Sequence, residues 1–240
     1  MDQDRRERQN RWFLDDGRRR LQASRVCIIG VGGLGSHLVQ QFAYLGVGSM
    51  ILVDSDVPDI TSLNRLIGAR YNDHLSGLTK VDICARMVAE IDPEVKLTKI
   101  HKNLISQDGF NAVKNADYVF GCVDDDGPRL VLTELCAAYK RPYFDLASQI
   151  FTVPTLQYGG RVCFSDSGQG CLMCLGEINV SEAQDYLASK NAKKDKQMLY
   201  GLPTMGIRDS GPSVVTLNGV VASLAATEFM VHAAQIRRAR

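Results

Sequence analysis

Seven residues, Gly30-Val31-Gly32-Gly33-Leu34-Gly35-Ser36, have the composition of a phosphate-binding turn. They follow the apolar run Val26-Cys27-Ile28-Ile29, and Leu52-Val53-Asp54 ends 19 residues after Gly35. Gly30 permits a tight turn, Gly32 lets backbone approach a phosphate, and Gly35 lets the following helix pack closely on a sheet. That helix would offer free N–H groups and partial positive charge to an anion. Asp54 is placed to accept hydrogen bonds from ribose hydroxyls. These features fit a dinucleotide or a mononucleotide. Three further charges weigh on the choice: Arg65 with Lys80, and Asp124. Two cations and an acid able to bind Mg²⁺ suit a triphosphate better than the pyrophosphate of NAD, because Mg²⁺ takes one or two carboxylates plus phosphate oxygens.

Composition bounds what the rest of the chain can be. Its 240 residues suffice for one large α/β domain with a full core. With 45% hydrophobic and 23% charged residues it has the make-up of an ordinary soluble protein. A net charge of +1 gives no general attraction to nucleic acid or to a membrane surface. No apolar run is expected to reach the roughly 20 residues that span a bilayer. The N-terminus is polar and charged, unlike a secretory signal. Cys27, Cys84, Cys122 and Cys136 lie in apolar runs and read as buried reduced thiols, which points to the cytoplasm. The odd total of seven cysteines argues against a disulfide framework.

The elements that must position these side chains follow from hydrophobic pattern. Residues 2–22 read as a charged arm with Trp12, Phe13 and Leu14 as anchors. Strands are expected at 25–29, 49–54, 95–101, 118–122 and 143–146, alternating with helices at 33–45, 80–91, 106–114 and 129–140. The helix over 80–91 shows apolar spacing at Val81, Cys84, Ala85 and Val88. It stops at Asp92-Pro93, since the residue before proline avoids helical geometry. Such alternation predicts a Rossmann-like, mostly parallel sheet flanked by helices, with right-handed crossovers. Ligands in such sheets sit at the carboxyl ends of strands, where strand order reverses. Two β-prone runs over 150–164, separated by Tyr158-Gly159-Gly160, predict an antiparallel hairpin as a C-terminal extension. Residues 181–197 begin as a helix and end in a charged, solvated connection. Residues 199–213 carry three glycines and two prolines and read as a long loop. A last helix runs from Ser213 to about His232, with Val214, Leu217, Val221, Leu224 and Ala225 as its buried stripe.

This ordered set resembles the MoeB/ThiF/HesA group, the bacterial relatives of ubiquitin-activating enzymes. The shared pattern runs from about Arg8 to Glu228. It comprises Arg8-Gln9-Asn10-Arg11, the glycine segment, Val53-Asp54-x-Asp56, Leu63-Asn64-Arg65, Lys80, Asp92-Pro93 and Cys122-Val123-Asp124. Cys171-Leu172-Met173-Cys174 and the helix from Ala222 to Glu228 complete it. The resemblance implies a single domain over 1–240: an N-terminal arm (1–22), a nucleotide-binding half (23–149) and a half that binds a carrier and forms a homodimer (150–240). It implies an ATP-dependent adenylyltransferase that activates a C-terminal carboxylate as an acyl-adenylate and releases pyrophosphate. The usual substrate is the Gly-Gly tail of a ubiquitin-like or sulfur-carrier protein, or a peptide. By position, Gly30, Gly32, Gly33, Leu34 and Gly35 would hold phosphate and Asp54 the ribose. Asp56, Asn64 and Val123 would line the same site. Arg65 and Lys80 would hold the triphosphate and stabilise charge at the α-phosphate. Asp124 would bind Mg²⁺, and Arg11 matches an arginine inserted from the partner subunit.

The sequence also departs from that pattern. Ser62 stands where the family usually has Asn, and Leu66 where it often has Gln. Cys171 and Cys174 match half of a structural zinc site with four cysteine ligands, and no second Cys-x-x-Cys pair occurs in this sequence. Little or no tightly bound zinc is therefore expected. The loop at 199–213, where many relatives carry a thioester or persulfide cysteine, has none; Arg208 lies roughly there. Two other functions fit parts of the sequence. An NAD-dependent oxidoreductase accounts for the glycines and Asp54 but leaves Arg65, Lys80 and Asp124 idle. A non-catalytic partner that recruits a ubiquitin-like protein would have no need of those three charges.

Overall fold

In the computed structural model, which describes residues 5–151, 154–166, 170–188 and 212–236, the first two strands bury every residue after their first. This is the pattern of strands covered by helices on both faces. They are β1 (Arg25–Ile29) and β2 (Ser49–Val53). β3 (Lys96–Ile100), β4 (Tyr118–Gly121), β5 (Tyr143–Phe151) and β6 (Gln157–Ser165) complete one six-stranded sheet in the order β3-β2-β1-β4-β5-β6. The first five strands are parallel neighbours, and β6 runs antiparallel to β5. The chain thus builds outward from β1 to β3, then crosses to β4 on the other side of β1. That reversal is the switch point where such sheets open a crevice.

Seven helices flank the sheet among the described residues: α1 (Glu7–Ala23), α2 (Gly33–Leu45), α3 (Lys80–Ile91), α4 (Gln107–Asn115), α5 (Asp126–Tyr139), α6 (Val180–Leu187) and α7 (Val215–Ala233). One core packs α2, α3 and α7 on one face of the sheet, and a second packs α4, α5 and α6 on the other. The first is held by aromatic rings. Phe42 of α2, Phe120 of β4 and Phe229 of α7 meet with centroids 4.9 to 5.5 Å apart, and Phe144 of β5 stacks on Phe120. Such ring pairs add about 0.5–1.5 kcal/mol each beyond the area they bury.

The N-terminal arm is a helix seated on the far ends of its neighbours. Arg6 donates to the carbonyls of Ala43 and Tyr44 (both 3.0 Å) and pairs with Asp92, while Gln9 donates to the Leu45 carbonyl (3.0 Å). Arg20 reaches the Ala234 carbonyl at 3.3 Å. Phe13 is buried, whereas Trp12 stays exposed. The arm therefore rests on the C-terminal ends of α2 and α7.

Several expectations are corrected. The hairpin connection does not fall at Tyr158-Gly159-Gly160. β5 continues to Phe151, and both glycines lie inside β6. A Cβ at Gly160 would collide with Val221 of α7, so this glycine marks a helix pressed onto the strand rather than a turn. α5 begins three residues early, at Asp126, because Pro128 fits a first helical turn that needs no N–H from it. The stripe of α7 is also displaced. Val214 and Leu224 are exposed, while Asn218, Val221, Ala222, Ala225, Phe229 and Met230 face the core. By length and composition α7 could cross a membrane, contrary to expectation, yet it packs here against α2, β5 and β6. The charged connection and the segment with Arg208 lie outside the described residues, as does the side chain of Leu14.

Candidate active site

The glycine segment closes the switch point. The Gly30 N–H donates to the Val53 carbonyl and the Cys122 N–H to the Ile29 carbonyl, each at 2.8 Å, tying the ends of β1, β2 and β4 together. Gly30 turns the chain at φ +84°, a region open to glycine. α2 starts at Gly33, and its first N–H groups point out of the turn with no intrahelical partner. A Cβ on Gly32 would meet nothing within 4 Å, so the space above the loop is open to a ligand. A Cβ on Gly33 would strike the Asn218 amide and lie 3.5 Å from Arg65 Cδ. Gly35 packs under Gly30, and Leu34 leans on the core. The cradle, the helix terminus and the charges around it fit a nucleotide phosphate chain.

Asp54 follows β2 and is held rigidly. Its Oδ2 accepts from the Val31 N–H (2.8 Å) and its Oδ1 from the Asp56 N–H (2.9 Å). Burial raises its pKa, an effect opposed by the charge of Lys80 and by those N–H groups. Each carboxylate oxygen keeps a spare lone pair for a hydroxyl. Lys80 is the first residue of α3, placed there by a capping box. Thr79 accepts from the Asp82 N–H while Asp82 accepts from the Thr79 N–H. Its ammonium lies 2.6 Å from Asp56, and the Lys80 N–H donates to the Asp56 carbonyl at 3.0 Å. A cation therefore stands at a helix N-terminus, where an anion is favoured twice over.

Arg65 comes from a turn nucleated by Asp59, which accepts from the Ser62 N–H and hydroxyl and from the Thr61 hydroxyl. Ser62, the departure from the family pattern, thus holds the turn. Leu66, the other departure, is buried in the core. The turn is pinned to α2 by the Ile67 N–H donating to Ser36 Oγ at 3.0 Å, and Arg65 bonds the Thr61 carbonyl at 2.8 Å. Asn64 and Asp124 are exposed. Asp124 comes three residues after the end of β4, whose Gly121 lies beside Ile29 at the start of the glycine segment. The structure thus brings the glycine segment, Asp54, Asp56, Arg65, Lys80 and Val123 together at the ends of β1, β2 and β4, and Asp124 follows Val123 in the chain.

It does not bring Arg11 to its own crevice. Arg11 is exposed and pairs with Glu7 at 2.8 Å, on the arm at the far end of α2. That helix of 13 residues is about 20 Å long. Nor do Cys171 and Cys174 join the site. Their sulfurs lie 3.5 Å apart on a separate turn. Among the described residues no group of three His, Cys, Asp or Glu stands where it could hold a metal.

Two supports were not legible in the sequence. Asn218 of α7 is buried; it accepts from the Ser148 hydroxyl at 2.7 Å and donates to Ser213 Oγ at 3.0 Å, directly behind Gly33. Asp145 of β5 is fully buried beside Arg129 (3.5 Å), Arg161 (3.4 Å) and the Tyr143 hydroxyl (3.0 Å). Burial raises its pKa against the pull of the two arginines. Arg129 also donates to the Val123 carbonyl at 2.8 Å and pairs with Asp126 at 3.0 Å. It therefore braces both sides of Asp124. A lone polar residue inside an apolar run was the one available signal for each.

Fold and crevice together define a doubly wound α/β protein with a glycine-loop site at its switch point. The chain belongs to the ThiF family, which it matches over residues 5–239. It is 30% identical over 166 residues to a sulfur carrier protein ThiS adenylyltransferase of Escherichia coli K12, covering 68% of this chain and 62% of that one. It is 27% identical over 195 residues to ubiquitin-like modifier-activating enzyme 5 of Bombyx mori, covering 76% and 47%. The chain thus spans between about half and two thirds of these relatives. Among solved structures, E. coli MccB bound to succinimide shares the fold, with a TM-score of 0.72 at 19% identity over 99% of this chain and 66% of that one. E. coli MccB with ATP gives a TM-score of 0.65 at 20% identity, covering 93% and 60%.

Proposed function

We propose that this protein is an ATP-dependent adenylyltransferase acting on the C-terminal carboxylate of a small ubiquitin-like or sulfur-carrier protein, or of a peptide. The observation that carries the reading is the meeting of the glycine loop, Arg65, Lys80 and Asp124 at one switch point. Membership of the ThiF family supports it, as do relatives named for adenylyl transfer and for modifier activation. In the reaction a carboxylate oxygen of the substrate bonds to the α-phosphorus of ATP. The bond from that phosphorus to the bridging oxygen breaks, and pyrophosphate leaves. The attacking group is already ionised, so no general base is required. The obstacle is electrostatic, since two anions must meet. Fixed cations that already face the phosphates remove it, and one well-placed donor is worth about 2.7–4 kcal/mol.

Each residue then has a role. The N–H groups at the start of α2 hold phosphate, Asp54 the ribose, and Arg65 and Lys80 the charge that builds at the α-phosphate. Lys80 exchanges its pairing with Asp56 for one with phosphate. Asp124 is the carboxylate that would hold Mg²⁺, an ion that neutralises and orients phosphate oxygens when bound. Arg11 works in the crevice of a second copy, within a homodimer. The 199–213 segment has no cysteine, so the acyl-adenylate leaves as such or passes to a thiol on another protein. Isotope exchange between pyrophosphate and ATP, dependent on the carrier and on Mg²⁺, tests the reading. A chain that exchanges nothing with any such carrier, and instead reduces or oxidises a nicotinamide cofactor, refutes it.

A further inference from the structure

Among the polar residues of α7, Asn218 alone is buried, at 1% exposure. A buried amide is costly unless its groups are bonded. Here Oδ1 accepts from the Ser148 hydroxyl of β5 (2.7 Å), and Nδ2 donates to Ser213 Oγ (3.0 Å), two residues before α7. Two bonds on opposite ends of the amide fix its plane. Its Nδ2 then stands against Gly33, the first residue of α2. A Cβ at that position would lie 2.4 Å from Nδ2, but 3.4 Å from Asn218 Cγ and 3.5 Å from Arg65 Cδ. Gly33 is not among the glycines with positive φ. The amide behind it, not its own backbone conformation, therefore excludes a side chain here. α2 begins without a side-chain cap, so its first turn takes its place from what packs behind it.

We propose that Asn218 is a positioning residue for the phosphate site: its amide, held by Ser148 and Ser213, is the wall against which the first turn of α2 rests, and so sets where the N–H groups of that turn stand. This role rests on the reading of the glycine loop as the phosphate cradle of an adenylyltransferase. Asn218 itself touches no nucleotide, because it is buried behind the loop. It acts through Gly33, as side chains locked by packing and by their own hydrogen bonds hold the groups that meet a ligand. Donors already in place when phosphate arrives need no ordering at that moment, and affinity is higher for it. The effect is confined to the phosphate end of the ligand. Asp54, the ribose acceptor, is fixed separately by the N–H groups of Val31 and Asp56. Adenosine, which carries no phosphate, is therefore blind to Asn218, whereas MgATP is not.

Affinities for MgATP and for adenosine are measured by calorimetry on the full chain and its variants, well below each melting temperature. Asn218→Ala should bind MgATP about tenfold more weakly and adenosine as before. Ser148→Ala leaves the amide free to turn and should show a smaller loss of the same kind, restored by Ser148→Thr. Gly33→Ala drives a methyl into Nδ2 and should also weaken MgATP about tenfold. The double variant is decisive. A methyl at position 33 fits the space that the amide leaves, so Gly33→Ala with Asn218→Ala should bind no more weakly than Gly33→Ala alone, whereas independent losses would multiply to about a hundredfold. Phe229→Leu loosens α7 in the core; it should lower the melting temperature and leave MgATP affinity unchanged, which separates positioning from general stability. Wild-type affinity for MgATP in Asn218→Ala overturns the proposal, as do an equal loss for adenosine and losses that multiply in the double variant. Should Asn218→Ala fail to fold, Ser148→Ala decides, and unchanged MgATP affinity there overturns the proposal. An unmodified chain that binds adenosine but gains nothing from the phosphates of MgATP overturns the phosphate reading itself, and this role with it.

Discussion

Asp124 and Arg129 lie five residues apart and divide the work of one loop. Asp124 is exposed and holds nothing in the fold, so Asp124→Asn should reduce pyrophosphate exchange by about 10²-fold or more and leave the melting temperature unchanged. Full exchange in this variant removes Asp124 from the mechanism. Arg129 touches no reacting atom in this reading; it braces Val123, Asp126 and the buried Asp145. Arg129→Met leaves Asp145 with Arg161 as its one cation and should cost about 3 kcal/mol. The sign with pH follows from Asp145, whose pKa burial holds above its usual 3.8. Without Arg129 that pKa climbs further. Well below 3.8 the carboxyl is neutral both folded and unfolded, and burying it costs no charge. As pH rises through the folded-state pKa the penalty appears in full. Denaturant titrations should therefore show a wider gap between wild type and variant at neutral pH than near pH 4, and a gap constant with pH would refute this account. Arg65, Lys80 and Asp124 stand out in the sequence as charged residues in polar stretches downstream of the glycine turn, and their part in the site remains a proposal. Asp145 and Asn218 were not legible, because each is defined by partners distant in sequence: Arg161 for one, and Gly33 and Ser148 for the other.

At the scale of elements, α3 shows how local chemistry sets the place of one side chain, Lys80. The Thr79–Asp82 capping box fixes where the helix starts and so where Lys80 stands. Asp82 also accepts from Lys99 of β3 at 2.6 Å, and this contact, with the Thr79 hydroxyl, lowers its pKa from the usual 3.8 to about 2. A depressed acid contributes stability above its unfolded pKa and loses it as pH falls through the folded one. Asp82→Asn should thus cost about 1–2 kcal/mol at neutral pH once solvent screening is allowed for. The cost should shrink as the pH falls from 3.8 toward about 2. Equal stabilities at neutral pH, measured by urea unfolding, would remove the capping box from the argument. The parallel βα units were readable because each apolar run is bounded by glycine, proline or a capping residue. The β5–β6 pair was misplaced because glycine has two meanings. At Gly159-Gly160 it serves packing in one strand, and only the position of α7, some 60 residues later, reveals which meaning applies.

For the whole molecule the open question is what the arm does. α1 is anchored by Arg6, Gln9 and Arg20 to the far ends of α2 and α7, which fixes Arg11 about one length of α2 from its own glycine loop. A residue so placed serves the crevice only across an interface, and two-fold pairs are the commonest way to build one. Arg11 is exposed and bonded only within its own helix turn, to Glu7, so Arg11→Ala should leave the fold intact. The prediction is complementation. Arg11→Ala and Lys80→Ala should each be inactive alone, one lacking the donated arginine and the other a cation of the receiving crevice. Mixed in equal amounts and allowed to exchange subunits, half the dimers pair one variant with the other. In each of these, the crevice that keeps Lys80 receives an intact Arg11, while the opposite crevice lacks both. About a quarter of all crevices are then whole, and about a quarter of wild-type exchange activity should return. No recovery on mixing, in a sample shown by light scattering to be dimeric, would place Arg11 outside the mechanism. A chain that is active and monomeric at micromolar concentration would remove the interface itself.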